Sequence, residues 1–186
     1  MSRVFIAVPV KAEPQFLDAC LFLRNHTGDG SVKWVGWNGM HLTLKFLGEV
    51  DEKTAGEIKG KLIQTIKGFS SFEFTLKGFG FFGPKKQPTV VYAGIENHAT
   101  LGALAEKIDC AMEELGFERE SRPFKAHITI GRIKFLKDSS QFLQAIGSWE
   151  NRFIQRVRVD SLVFYKSILT SGGPLYQPLL VINLLE

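Results

Sequence analysis

Two of the histidines in this chain sit in the same short pattern. One is His41-Leu42-Thr43-Leu44; the other, nearly half the chain away, is His127-Ile128-Thr129-Ile130. In an extended strand, residues i and i+2 share a face. His41 is therefore expected to project with Thr43, and His127 with Thr129. Leu42, Leu44 and Phe46, like Ile128 and Ile130, are expected to project the opposite way into a core. Two imidazoles and two hydroxyls brought to one cleft suit phosphate-ester chemistry. A neutral histidine takes a proton from the attacking oxygen and a protonated one gives a proton to the leaving oxygen. An ordinary pKa of about 6.5 lets histidine do either. Threonine hydroxyls and a nearby cation stabilise the phosphoryl oxygens as charge builds on them. A single His-x-Thr would carry little weight, because strands are rich in threonine. Its repetition in a chain with only four histidines points to one site built from two halves.

Arg132 is the best cation for this site. It lies five positions after His127, so strict alternation sends it to the wrong face; Gly131 offers a bulge or a strand end that would bring it back. Lys45 shares parity with His41 and Thr43, but at a strand end it reads as a solvated lysine. Phe79, Phe81 and Phe82 could stack on bases, although packing in a core or loop is the favoured reading. His26 and His98 lie in or beside loops, and no spacing of His, Cys or acidic residues matches a metal site. There is no Walker loop, dinucleotide fingerprint or nucleophile elbow. The expected chemistry needs no metal and no cofactor.

The elements that must position these residues follow from periodicity. Val4 to Val8 reads as a buried strand and Ala12 to Arg24 as a helix with Pro14 in its first turn. Asn25 to Ser31 reads as a loop. Trp34 and Val35 lead into the first His-x-Thr strand, which Gly48 is expected to end. Asp51 caps a helix to about Lys67, and Phe72 to Leu76 alternates as a strand. Gly78 to Pro84 reads as a glycine and phenylalanine loop. Thr89 to Ile95 is a strand, and Asn97 to Leu115 a helix stopped by Gly116. After the second His-x-Thr strand come a helix over Ser139 to Ile146 and one long strand over Arg156 to Lys166. A turn at Gly172-Gly173-Pro174 precedes a last strand over Leu175 to Leu184. The mixed order, βα-βα-ββ-α-βα-ββ, predicts two strand-rich halves, each carrying one His-x-Thr strand.

The composition is that of a soluble globular protein, with 45% hydrophobic and 23% charged residues among 186. This length suits a single domain of two lobes over residues 1–186. The net charge of +4 favours an anionic partner. Two cysteines without CxxC spacing fit a reducing compartment. No apolar run has the length of a signal peptide or a membrane span. The chain is expected in the cytoplasm, as a monomer with no membrane partner.

Around the two motifs the sequence resembles the two-histidine (2H) phosphoesterases. Within them it is most similar to the RNA 2′,3′-cyclic phosphodiesterases, also called 2′-5′ RNA ligases. Trp34-Val35 followed by His41-Leu42-Thr43-Leu44-Lys45-Phe46-Leu47-Gly48-Glu49-Val50 matches the first family motif. Arg122-Pro123-Phe124-Lys125-Ala126-His127-Ile128-Thr129-Ile130-Gly131-Arg132 matches the second, with Ala126 where the family commonly has proline. Val4 to Val8, Tyr165-Lys166-Ser167 and Tyr176-Gln177-Pro178-Leu179 extend the likeness over nearly the whole chain. The resemblance implies a bilobal, pseudo-twofold α+β fold, with two antiparallel sheets lining a central cleft and helices outside. It also implies opening of an RNA-terminal 2′,3′-cyclic phosphate to a 2′-phosphate, with tRNA fragments among the substrates, and in some members reversible 2′-5′ ligation. By the same analogy His127 activates water, His41 protonates the leaving 3′ oxygen, and Thr43, Thr129 and Arg132 bind the phosphate. The residues themselves leave the assignment of acid and base open. Two alternatives stand beside this expectation. One is a non-catalytic binder of RNA ends. The other is a phosphodiesterase of small cyclic nucleotides or of ADP-ribose cyclic phosphate.

Overall fold

Apolar residues at every second position of the strands, and at every third or fourth of the helices, need two layers to bury them. The computed structural model, which describes residues 1–28, 30–171 and 173–186, meets this with an α+β arrangement. Its described elements run, in order, β1 (Ser2–Pro9), α1 (Pro14–His26), β2 (Gly30–Trp34), a 3-10 turn (Trp37–Gly39), β3 (His41–Val50), α2 (Glu52–Ile66), β4 (Phe72–Phe82) and β5 (Val90–Glu96). They continue with α3 (Ala99–Glu113), β6 (His127–Leu136), α4 (Ser139–Ser148), β7 (Phe153–Val159), β8 (Ser161–Thr170) and β9 (Gly173–Asn183). Asp29, within the expected Asn25–Ser31 loop, and Gly172, within the expected turn, lie outside the described residues.

Two antiparallel sheets form, ordered β3-β1-β8-β9 and β2-β6-β5-β4-β7. Each holds one His-x-Thr strand, as expected. The sheets are not, however, two contiguous halves of the sequence. The first joins both ends of the chain, and β2 leaves the N-terminal region to edge the second sheet. The helices are exchanged as well. Helix α1 follows β1 of the first sheet yet packs with α4 on the second, against β7. Helix α3 connects β5 and β6 of the second sheet yet packs with α2 on the first, against β3. The buried faces of all four helices (Phe16 and Leu23; Ile58 and Leu62; Leu101, Leu104 and Ile108; Phe142) feed a core cluster that reaches both sheets. Asp51 caps α2 as predicted, accepting from the Thr54 N–H at 2.8 Å. No described helix is long and apolar enough to cross a membrane.

Several expectations are corrected. Trp34 belongs to β2 and not to the His41 strand, and the 3-10 turn separates them. Strand β3 does not stop at Gly48 but runs through it at φ 75°, a backbone angle glycine adopts freely. Residues 78–82 are no loop: β4 continues to Phe82, kinked by an irregularity between Leu76 and Phe79. The glycines there read as loop formers, yet Phe79 packs against Trp149 at 5.5 Å and Phe81 against Phe142 at 5.7 Å. The alternating run from Arg156 to Lys166 is two strands in different sheets. It breaks at Asp160, after which the period-two pattern gives way to the consecutive buried residues Leu162, Val163 and Phe164.

Lys45 is the largest departure. It is 3% exposed, not solvated, and forms an ion pair with Asp109 of α3. Its Nζ also donates to the Glu118 carbonyl at 2.8 Å. The Asp109 carboxylate further accepts from the Glu120 N–H at 3.2 Å and from Arg119 Nε at 3.4 Å. Burial pushes this carboxyl upward, but those donors outweigh it and hold it below its ordinary value. The cluster ties β3, α3 and the segment leading to His127 together. Replacing Lys45 with Met leaves the Asp109 carboxylate only Arg119 and the Glu120 N–H, and we expect a loss of about 3 kcal/mol in urea unfolding, the low end for a broken buried pair. Replacing Asp109 with Leu in the same chain should recover a large part of it.

Candidate functional site

The parity of Arg132 is settled by a bulge. On β6, Tyr92 of β5 pairs with Thr129 and Val91 pairs with Gly131, so Ile130 is the extra residue. Alternation reverses there. His127 and Thr129 are half-buried on the cleft side, Ile128 and Ile130 are buried, and Gly131 is buried too. Arg132 is then exposed on the face of His127 and Thr129. Gly131 makes this possible by close approach: a Cβ on it would lie 2.9 Å from the Trp34 ring and 3.0 Å from Val91.

Strand β3 bears the same break. Ala7 pairs with Thr43 and Ile6 with Lys45, leaving Leu44 as the extra residue. This explains both misplacements on that strand. Lys45 turns inward to Asp109. Phe46, expected in the core, turns outward and is 60% exposed. The two strands thus repeat one burial sequence, with Phe46 standing where β6 has Arg132.

Each imidazole is held the same way. His41 Nδ1 bonds the Gly39 carbonyl and His127 Nδ1 bonds the Lys125 carbonyl, both at 2.7 Å and both two residues back. With Nδ1–H donating to a carbonyl, the neutral ring keeps its lone pair on Nε2. The loop before His41 is itself pinned. The Arg24 guanidinium lies 4.0 Å over the Trp37 ring and donates to the Val35 carbonyl, while the Val35 N–H bonds Ile130 at the bulge of β6.

Aromatic rings enclose both histidines. Phe5 lies 5.0 Å from His41 and Tyr176 stands edge-on to it at 4.8 Å, with Tyr165 at 6.3 Å. Phe82 and Tyr92 stand edge-on to His127 at 4.9 and 5.4 Å. Nothing in the local sequence pattern marks Phe5, Tyr92 or Lys125 as part of the site. Phe5 and Tyr92 lie beside it because β1 and β5 pair with the histidine strands, and Lys125 because the entry to β6 lays its ammonium on the rings of Phe82 and Tyr92. Of the three phenylalanines considered for stacking, only Phe82 reaches the site.

The two strands face one another across the gap between the sheets, and their charges interact. Burial pushes the His41 imidazole below its ordinary value against the pull of the Gly39 carbonyl. The positive charges of His127 and Arg132 push it further down. Burial also lowers His127, with the Lys125 carbonyl opposing and the charges of Lys125 and Arg132 adding to the fall. Arg132, from the second sheet, is close enough to act on Tyr176 of the first. His41, His127 and Arg132 therefore lie near one another across the gap, and Thr43 and Thr129 share the strand faces of the two histidines. Among the described residues no three His, Cys, Asp or Glu side chains cluster to hold a metal ion.

A sequence profile of the 2′-5′ RNA ligase superfamily matches residues 33–168. The chain is 37% identical over 183 residues to the RNA 2′,3′-cyclic phosphodiesterase of Thermotoga maritima, covering 95% of this chain and 92% of that one. It is 31% identical over 185 residues to the protein of the same name from Archaeoglobus fulgidus, covering 96% and 98%. Among solved structures it resembles TT0787 of Thermus thermophilus, with TM-score 0.80, 27% identity and coverage of 98% and 97%. Escherichia coli LigT complexed with 3′-AMP shares the fold at TM-score 0.75 and 21% identity, covering 100% and 99%.

Both histidine shifts are downward, so an unfolded chain takes up protons first. The stability they contribute is complete above the unfolded value of about 6.5 and erodes as pH falls below it. Titration followed by NMR should place both imidazoles below that value, and Lys125→Met should raise His127. Unfolding midpoints of His41→Asn and His127→Asn should decline less steeply than wild type between pH 6.5 and the folded values, a window read from about the same reference.

Proposed function

The chain belongs to the 2′-5′ RNA ligase superfamily, and from that premise we propose that it hydrolyses the 2′,3′-cyclic phosphate at an RNA end to a 2′-phosphate. The observation that carries this reading is the matched pair of imidazoles, held alike by backbone carbonyls and close enough for one charge to act on the other. Relatives that span nearly all of the chain bear the name of this activity. The reading treats the chain as one domain of two lobes, acting in the reducing cytoplasm that suits its free Cys20 and Cys110.

Neutral His127 accepts a proton from water at Nε2 as the water oxygen attacks phosphorus. The P–O3′ bond breaks, and protonated His41 donates from Nε2 to the departing 3′ oxygen. The product carries a 2′-phosphate and a 3′-hydroxyl, and the two histidines end with exchanged protonation states. Thr43 and Thr129 donate hydrogen bonds to the non-bridging oxygens, and Arg132 neutralises the charge that builds on them. If a ribose 5′-hydroxyl replaces water, the same displacement yields a 2′-5′ linkage, so ligation uses the same groups.

Either histidine replaced by alanine should lower turnover of a cyclic-phosphate RNA end by about 10²–10⁴-fold. Chelator in the assay should leave wild-type turnover unchanged. Because both free-enzyme imidazoles titrate low, kcat/KM should peak on the acid side of pH 6.5, about the ordinary histidine value. A peak well above neutrality, or full activity in either alanine variant, overturns the mechanism.

A further inference from the structure

Lys125 has no role in the chemistry above, yet its placement is unusual. Its ammonium lies over the faces of two rings, 4.8 Å from the centre of Phe82 and 5.1 Å from that of Tyr92. These are the rings that stand edge-on to His127. Among the described residues no carboxylate pairs with it. Two aromatic faces therefore hold a cation that no protein anion neutralises.

A positive charge here also has a cost for catalysis. The histidine two residues on must carry a proton at one stage of the reaction, and Lys125 opposes that. A lysine kept where it disfavours an imidazolium has some other anion to meet. The phosphate under attack is already provided for, by Arg132 and the two threonines in the gap between the imidazoles. The same two rings, Phe82 and Tyr92, lie against both the Lys125 ammonium and the His127 imidazole, so Lys125 is seated beside the reacting centre on the His127 side. A group bound there sits one step along the chain from the reacting phosphate. Just past Phe82, where β4 ends, a turn closed by the Gln87 N–H on the Pro84 carbonyl carries the exposed Lys85 and Lys86. The flank of His41 differs: among the described residues no lysine or arginine lies over the faces of Phe5, Tyr165, Tyr176 or Phe46.

We propose that Lys125, seated on Phe82 and Tyr92, is the subsite for the internucleotide phosphate immediately upstream of the terminal nucleotide. The substrate class is then an oligonucleotide end, with its strand leaving the cleft over the second sheet. This rests on the reading of the site as one that acts on RNA ends.

The test is binding, measured apart from turnover. Affinities of a dinucleotide and a mononucleotide, each ending in a 2′-phosphate, are compared for wild type, Lys125→Met and Lys125→Arg. Wild type should favour the dinucleotide by about tenfold, the scale of one charge-assisted contact. Lys125→Met should reduce that preference to about twofold or less, and should flatten the salt dependence of dinucleotide binding by about 0.7 in log–log slope. Lys125→Arg should keep the preference. Equal losses on both ligands in Lys125→Met overturn the subsite, as they place the lysine on the terminal phosphate. Absence of a dinucleotide preference in wild type overturns it too. Cyclic-phosphate turnover recorded in parallel separates the two ideas. A Lys125-dependent preference with no wild-type turnover upholds the subsite and refutes the proposed reaction.

Discussion

Both site strands depend on one backbone irregularity, the extra residue that follows the threonine. An unbroken strand could expose His, Thr and a third residue two positions on, but never one three positions after the threonine. The bulges at Leu44 and Ile130 reverse the alternation just past the polar pair. Upstream of the break each strand gives its polar side chains to the cleft and its aliphatic ones to the core. Downstream, the same strand turns Lys45 or Gly131 inward and Phe46 or Arg132 outward. The bulge thus sets the width of the polar patch, delivers the guanidinium and, on β3, sends a lysine inside to be neutralised by Asp109.

The two copies agree in backbone and differ in chemistry. They share the carbonyl that orients each ring, the buried aliphatics and the bulge. They differ at the first residue to return to the cleft, phenylalanine in one and arginine in the other. In the proposed reaction a single anionic centre between two imidazoles needs one strong cation, and a second would deepen the depression of both histidines. The symmetric frame therefore carries an asymmetric charge.

Much of this was legible in the sequence because it is local. His-x-Thr periodicity placed four side chains on the cleft face of their strands, and capping and spacing located all four helices. The failures share a cause. Phe46 follows from counting along one strand, Lys45 from its place near a strand end and the stretch 78–82 from its glycines, whereas the environment of each is fixed by what pairs or packs alongside. A bulge is a relation between two strands, so neither sequence alone declares it. The break of the 156–166 run has the same origin: the segments on either side of Asp160 pair in different sheets, and only the first keeps its alternation. Lys125 and the rings around His127 were invisible for a related reason, since β5 had first to be laid beside β6 and the end of β4 beside β5.

The exchange of helices bears on how such a chain can be divided. A cut between α2 and β4 separates the two histidine strands into different pieces, yet the pieces do not correspond to the two sheets. The N-terminal piece holds β1 and β3 without β8 and β9, and carries α1, whose apolar side belongs on the other sheet. The C-terminal piece lacks β2 and carries α3, whose packing partners β3 and α2 are both in the other piece. Neither fragment can hide its hydrophobic surface alone, and each holds what the other needs. Such fragments have the makings of a complementation pair, in which recovered enzyme activity reports that two tethered partners have met.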